Sequence, residues 1–535
     1  MIAEIVPQAR TPRTMTVFDY HIPDGMMLRI GDCVRVPFRT SHVVGLVWNI
    51  KEHSESKKLR AVHSLLPVSA WHSKSRCEWL EWFARWYAIS LPHAFKTLQH
   101  PFPRRVQAIQ KHQNDTQQLA LDITAHTPPH LVQAQRYTTI LQWYKETLRH
   151  SKGHTLILCG EHAEAQLVSA YIGKKAEYLI HATPKQLTDL EITLTQTTHG
   201  RIIVGTKQLV HMNPNLFSTI ILDKEENSSH KQRDLNPRFH VRRALLQAAL
   251  FARTHNEYFP RLVFTSIAPS IESAYAIEKK QMTSETLHEA DAKEPNVQVI
   301  SMEEEKYSGN YSWFAAEVQK RIQHSKKTLV FLNRTGEYSY NVCQECSAIV
   351  EPQSLSCSHC HNNRFKMVRK GITQLEKEAR QIFVDKKIAR IDRTTDNTQI
   401  QVALSTADII FATEKILHVT TLSIFEYCVI LSVDHVLSYP HYSAHERTYQ
   451  LLRTFFSSGV RCDLQTHSPH HSVITYAASN DYAHFAQEEL RIRNMLNAPP
   501  YGYRARIINT KTKVARVVTE PPRDLRIEEV LDPEY

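Results

Sequence analysis

Short apolar runs recur in two series along the chain: residues 155–158, 202–204, 220–222 and 262–264, then residues 328–332, 388–391, 409–411 and 429–431. Each run ends in a polar loop, and helical patterns separate it from the next. A strand that is apolar throughout must be covered on both faces, which takes helices on each side of a parallel sheet. The pattern predicts two tandem doubly wound α/β lobes, with ligands at the carboxyl ends of their strands. Across 535 residues this is too much chain for one core, and three or four packed units are expected.

The segment before the first series reads differently. Residues 2–48 alternate apolar and polar positions between turn words, as a small β unit does. Within residues 77–91, Trp79, Trp82, Phe83 and Trp86 recur at steps of three and four. They line one face of a helix, and packing on the sheet is the favoured reading over a base-stacking platform. Residues 106–130, rich in Gln, Asn and His, suit a linker.

Composition narrows the class. Hydrophobic residues make up 42% and charged residues 22% of the chain, and no apolar run approaches the roughly 18 residues of a membrane span. With no charged-then-apolar signal layout at residues 1–10, a soluble cytoplasmic protein without membrane contact is expected. A formal charge of +11 favours a polyanionic partner, although many basic proteins never touch nucleic acid. Glycine is scarce: 13 residues, about 2% against a usual 7% or so. Nucleotide-binding loops need glycine.

Among nine cysteines, Cys33, Cys77, Cys159, Cys428 and Cys462 are scattered and read as small buried hydrophobes. The others form Cys343-x-x-Cys346 and Cys357-x-x-Cys360, two pairs that can meet as a tetrahedral thiolate site for one structural Zn²⁺. His359 and His361 lie alongside as substitute ligands, though such residues beside four cysteines are more often solvated.

Three words at the start, Val17-Phe18-Asp19-Tyr20, Gly31-Asp32-Cys33-Val34-Arg35-Val36-Pro37-Phe38 and Val44-Gly45-Leu46-Val47, resemble the 3′-DNA-binding domain of the PriA (primosomal protein N′) replication-restart family. The resemblance implies that Asp19 and Arg60 help hold a 3′-terminal nucleotide beside Phe18 and Tyr20. Arg39, where the family commonly has Gly, either narrows that pocket or adds a phosphate contact. An Asp can accept a hydrogen bond from a terminal hydroxyl and repel a continuing phosphate.

The lobes resemble the family's RecA-like, superfamily 2 helicase core, and there the catalytic words depart. In Leu158-Cys159-Gly160-Glu161-His162-Ala163-Glu164-Ala165-Gln166-Leu167, Gln166 and Leu167 replace the Lys and hydroxyl that hold triphosphate and Mg²⁺. Asp223-Lys224-Glu225-Glu226 stands where the family has Asp-Glu-Glu-His, so Lys224 replaces the water-orienting Glu while Asp223 could still hold a metal. Farther on, Arg461 alone survives of two arginines, and Ala412-Thr413-Glu414 replaces Gly-Thr-Gln. The expectation is that ATP and Mg²⁺ are not used.

Asn227-Ser228-Ser229-His230-Lys231-Gln232 with Pro237-Arg238-Phe239-His240 resembles the aromatic-rich loop that couples single-stranded DNA to the motor, which implies DNA contacts by His230, Lys231, Arg238 and Phe239. The family usually carries two zinc ions, and its winged helix is absent here. The resemblance therefore implies a 3′-DNA-binding domain (1–105), a linker or helical segment (106–150), lobe 1 (151–300), lobe 2 (301–480) with a zinc-binding insertion (341–366), and a short C-terminal domain (481–535). It implies a helicase-inactive fork- and 3′-end-binding platform that works with primosome, helicase-loading and single-strand-binding proteins. An ATP-dependent 3′-to-5′ helicase with divergent motifs and a pure protein scaffold are the alternatives.

Overall fold

The computed structural model describes residues 1–533 except 13, 57, 67–72, 100–126, 150, 152, 174, 180–181, 198, 289–295, 333–338, 347–348, 351–355, 358, 370–371, 440, 510, 513–514, 521 and 523–528. Most of the expected linker therefore lies outside the described residues. The described chain divides into two compact units, the first made of residues 1–134, 138–288 and 490–535, the second of 135–137 and 289–489.

In the first unit, strands β1 (Ile2–Pro7), β2 (Phe18–His21), β3 (Cys33–Phe38), β4 (Ser41–Lys51), β5 (Arg60–Ala61) and β6 (Ser64–Leu65) form a sheet in the order β5-β2-β1-β4-β3-β6. One face gathers Ala3, Ile5, Tyr20, Val34, Val36 and Val47. Helices α1 (Lys74–Trp86) and α2 (Leu91–Leu98) share a core with Val6, Cys33 and Leu46. The aromatic stripe of α1 does this packing: Phe83 is fully buried and the Trp82 and Trp86 rings stack with centroids 5.7 Å apart.

Lobe 1 is a seven-stranded parallel sheet of β7 (His130–Ala134), β8 (Thr155–Cys159), β9 (Ala176–Tyr178), β10 (Ile202–Thr206), β11 (Thr219–Leu222), β12 (Arg261–Ser266) and β13 (Thr283–Leu287), in the order β13-β7-β12-β11-β8-β10-β9. Strand β7 pairs with β12 and β13, so the sheet begins before residue 151, inside the expected linker. Its five residues carry too little apolar periodicity to stand out. The helices α3 (Tyr137–Arg149), α4 (His162–Ile172), α5 (Pro184–Gln196) and α6 (Val241–Thr254) follow in sequence.

The second unit holds β14 (Val297–Ser301), β15 (Thr328–Phe331), a ribbon of β16 (Ser339–Cys343), β17 (Ile349–Val350) and β18 (Phe365–Arg369), then β19 (Ile388–Ile391), β20 (Ile409–Ala412), β21 (Tyr427–Ile430) and β22 (Arg461–Thr466). Its main sheet is parallel, in the order β14-β22-β21-β15-β20-β19. A last sheet of β23 (Ala505–Asn509), β24 (Ala515–Val518) and β25 (Glu529–Pro533) belongs to the first unit. There Ala505, Ile507 and Leu531 pack with Ala88. Among the described residues no helix is long and apolar enough to cross a membrane.

Candidate functional site

The first amide groups of a helix lack intrahelical partners and carry the positive end of its dipole, so an α/β lobe offers phosphate a place where a strand runs into a helix. In lobe 1 that place is the passage from β8 into α4. Here the chain supplies its own anions. Glu161 caps α4 in a reciprocal box with Glu164, and Ser229 donates its hydroxyl to Glu161. Lys224 Nζ donates to Glu164 Oε1 at 2.9 Å and Asn227 Nδ2 to Glu164 Oε2 at 3.0 Å. A Cβ built on Gly160 would lie 2.4 Å from that Asn227 amide, so side chain rather than open space covers the turn.

Lys224 adopts a φ of 46°. Burial pulls its ammonium down, but Glu164 and Asp223 outweigh burial and hold it above its ordinary pKa. Gln166 is exposed on α4 and takes no part in this cluster. Asp223 is wholly buried: Tyr144 Oη donates to its Oδ1 at 2.6 Å and Thr265 Oγ1 at 3.1 Å. The expectation that Asp223 is open to a metal is not met, because its carboxylate is committed to side chains of α3 and β12. Behind it Glu225 accepts from Arg242 at 2.7 Å and from the Ser270 amide at 2.7 Å, and burial and Glu225 push Glu226 up to about 8.

Arg461 is also corrected. It opens β22, level with Tyr427 at the start of the parallel strand β21, at the amino end of the sheet, whereas ligands meet carboxyl ends. Its guanidinium donates to Asn296 at 3.1 Å and Gln298 at 3.3 Å. It is bound into lobe 2 at the edge away from the carboxyl ends of the strands.

The DNA-end residues of the first sheet fall into two sets. Successive side chains of a strand point to opposite faces. Arg60 is level with Tyr20 across the parallel pair β5 and β2, so Arg60 shares the face of Tyr20 and Phe18, and Asp19 projects from the reverse. On the first face Phe18 meets Phe38 edge-on at 5.2 Å, the Arg39 guanidinium lies 5.7 Å over the Phe38 ring, and Arg60 Nη1 donates to the Arg39 carbonyl at 3.0 Å. Tyr20 is buried, its hydroxyl donating to Pro37 O at 3.0 Å. On the reverse face Asp19 pairs with Lys51 at 3.0 Å and accepts from Ser54. Arg39 and Arg60 are exposed and flank an aromatic edge; Asp19 does not join them.

The loop of the aromatic-rich word is a hairpin closed between Lys231 and His240. Phe239 is buried against Phe83, ring centroids 5.6 Å apart. His230 is fully buried, its Nε2 bonded to the Asp223 carbonyl at 2.8 Å. Neither ring is open to a base, which corrects the stacking expected of them: the apolar and polar demands of the core claim both. Lys231 pairs with Asp532 at 2.6 Å and Arg238 with the same carboxylate at 3.1 Å. Nothing in the spacing of the sequence signals Asp532, some 300 positions away.

In lobe 2 the four cysteines converge. Cys343 closes β16, and Cys343, Cys346, Cys357 and Cys360 bring their Sγ atoms within 4.8 Å of one another, with Cys343 to Cys360 at 3.4 Å and Cys346 to Cys357 at 3.5 Å. A tetrahedral Zn²⁺ with Zn–S bonds of about 2.3 Å needs sulfurs about 3.8 Å apart, so the set fits one ion. His359 and His361 are exposed, and the thiols supply a complete ligand set without them.

A small β-rich domain, two doubly wound parallel sheets and a four-cysteine ribbon inserted in the second define a two-lobed α/β protein. Residues 5–99 match the family model of the PriA 3′ DNA-binding domain. Replication restart protein PriA of Rickettsia conorii is 23% identical over 95% of this chain and 87% of its own length, and that of Bacillus subtilis is 24% identical over 59% of this chain and 44% of its own. Over most of its length the chain is similar to PriA replication-restart proteins. Among solved structures, RecG bound to a three-way DNA junction overlaps 68% of this chain and 40% of its own at 11% identity and a TM-score of 0.34. Yeast Dbp5 bound to Gle1 and IP6 overlaps 72% of this chain and 92% of its own at 9% identity and a TM-score of 0.36.

Proposed function

We propose that this chain acts in replication restart as a DNA-binding platform that recognises forks and 3′ ends without hydrolysing ATP. One observation carries the loss of hydrolysis: the amide groups at the head of α4 are capped by Glu161 and Glu164, which Ser229, Lys224 and Asn227 hold in place. A triphosphate would have to displace two carboxylates and would meet their charge, and the remaining chemistry offers neither a base at position 224 nor an arginine at the carboxyl edge from Arg461. The Phe18, Phe38, Arg39 and Arg60 face supplies ring surface and cations for the end of a strand. Zn²⁺, held by Cys343, Cys346, Cys357 and Cys360, supplies structure to the ribbon with no open ligand position. The primosome and helicase-loading partners of the family are the assemblies such a platform would serve.

Calorimetric titration with ATP and phosphate release with and without forked DNA test the reading. No binding and no turnover are expected; robust turnover abolished by Asp223→Ala would establish a working helicase instead. Fluorescence anisotropy on forks with free or blocked 3′ ends should show tighter binding to the free end, weakened by Arg60→Ala. Indifference both to DNA and to its end would leave a protein scaffold.

A further inference from the structure

Asp532, on β25, is surrounded by cations. Lys231 Nζ lies 2.6 Å from its Oδ1, Arg238 Nη1 3.1 Å and Arg506 Nη2 3.6 Å from its Oδ2, and Lys231 donates again to the Pro533 carbonyl at 2.7 Å. The Asp532 side chain is 8% exposed and that of Lys231 11%. Lys231 and Arg238 root a hairpin whose tip, Arg233, Asp234 and Leu235, is exposed. Among the described residues, three cations meet this one carboxylate and leave a local excess of positive charge, which an environment of low polarity magnifies. A second anion is therefore favoured beside Asp532, or in its place.

We infer that Lys231, Arg238 and Arg506 form a site for nucleic-acid backbone phosphate, and that the chain's own Asp532 occupies it as an internal competitor. The inference rests on the DNA-binding reading and deepens it by assigning regulation to the loop. Strand β25 then acts as a guard: it holds the hairpin's cations while DNA is absent and yields them to a run of phosphates, each of which brings a charge and several acceptor oxygens. Counterion release accompanies every such exchange on the DNA side. The geometry accounts for two basic residues of the hairpin being paired internally while its tip stands in solvent.

The test uses the full chain and a fluorescent single-stranded oligothymidylate together with a fork. Asp532→Asn keeps the shape and removes the charge, and it should tighten binding roughly three- to tenfold and steepen the dependence on salt. Lys231→Gln with Arg238→Gln should weaken binding by the native chain and abolish the gain in the Asp532→Asn background. Native binding with no gain from Asp532→Asn overturns the inference and leaves the DNA-binding reading standing. Absence of binding by both chains overturns both. Should Asp532→Asn fail to fold, hydrogen exchange on the native chain decides: protection of residues 529–533 should fall when the fork binds, and unchanged protection with DNA bound overturns the inference.

Discussion

Lys224, read from the sequence as the replacement for the family's water-orienting Glu, lies between Glu164 and Asp223, and its charge is taken up within the chain itself. Removing one partner of a partly buried pair strands the other, so Lys224→Met should destabilise the first unit by about 1–3 kcal/mol in denaturant unfolding, and adding Glu164→Gln should restore most of it. Glu226 gives a pH signature. Folded, burial holds its proton up to about pH 8, whereas its ordinary pKa is 4.5. Between those values the folded state binds more protons than the unfolded one, and stability falls as pH rises. Glu226→Gln carries no such loss, so its melting temperature should gain progressively on the native chain as pH rises from about 4.5 to about 8. At this scale the sequence was legible in what it places at the head of α4 and after β11, where Gln166 is exposed and Lys224 is paired. It was silent on what fills the space, because the Glu161 and Glu164 box depends on Asn227 and Ser229 arriving from another turn.

Elements show the same division. The four cysteines read directly, since two Cys-x-x-Cys turns have few other uses, and β16 ends on the first of them, Cys343. Cys360→Ser should lower bound zinc from one ion per chain to a small fraction by absorption spectroscopy, with exchange protection lost in residues 339–369 and kept in the main sheets. Strand β7 escaped notice because His130 and Gln133 interrupt a five-residue run. Asp19 and Arg60 were expected to converge, and they part because a strand's side chains alternate; sequence distance says nothing about which face a two-residue edge strand such as β5 presents. The head of α1, whose N-cap is Ser73, is further capped by Glu257, which accepts from the Lys74 amide at 3.0 Å. Glu257→Gln should cost roughly 1 kcal/mol by thermal melting, as loss of a helix cap does.

The first unit is a whole only with residues 490–535 in place. That segment sets Tyr503 against Trp86 at 5.1 Å, packs Ile507 and Leu531 near Ala88 and brings Asp532 to the hairpin. Deleting residues 490–535 should lower the melting transition of the first unit by several degrees and uncover apolar surface that binds a hydrophobic dye, while the ribbon keeps its metal. The two series of apolar runs made both lobes legible from sequence; the return of the C-terminal sheet to the first unit was not, because no local pattern records a contact across hundreds of residues.

That return has a consequence in time. Lys231 and Asp532 are separated by about three hundred rounds of peptide synthesis, which at roughly 5–20 residues per second is on the order of fifteen seconds to a minute. Through that interval the nascent hairpin carries Lys231 and Arg238 with no acid from β25 to meet them, so under the proposed exchange the unfinished chain would bind nucleic acid more tightly than the finished one, and completion of the protein would itself quiet it.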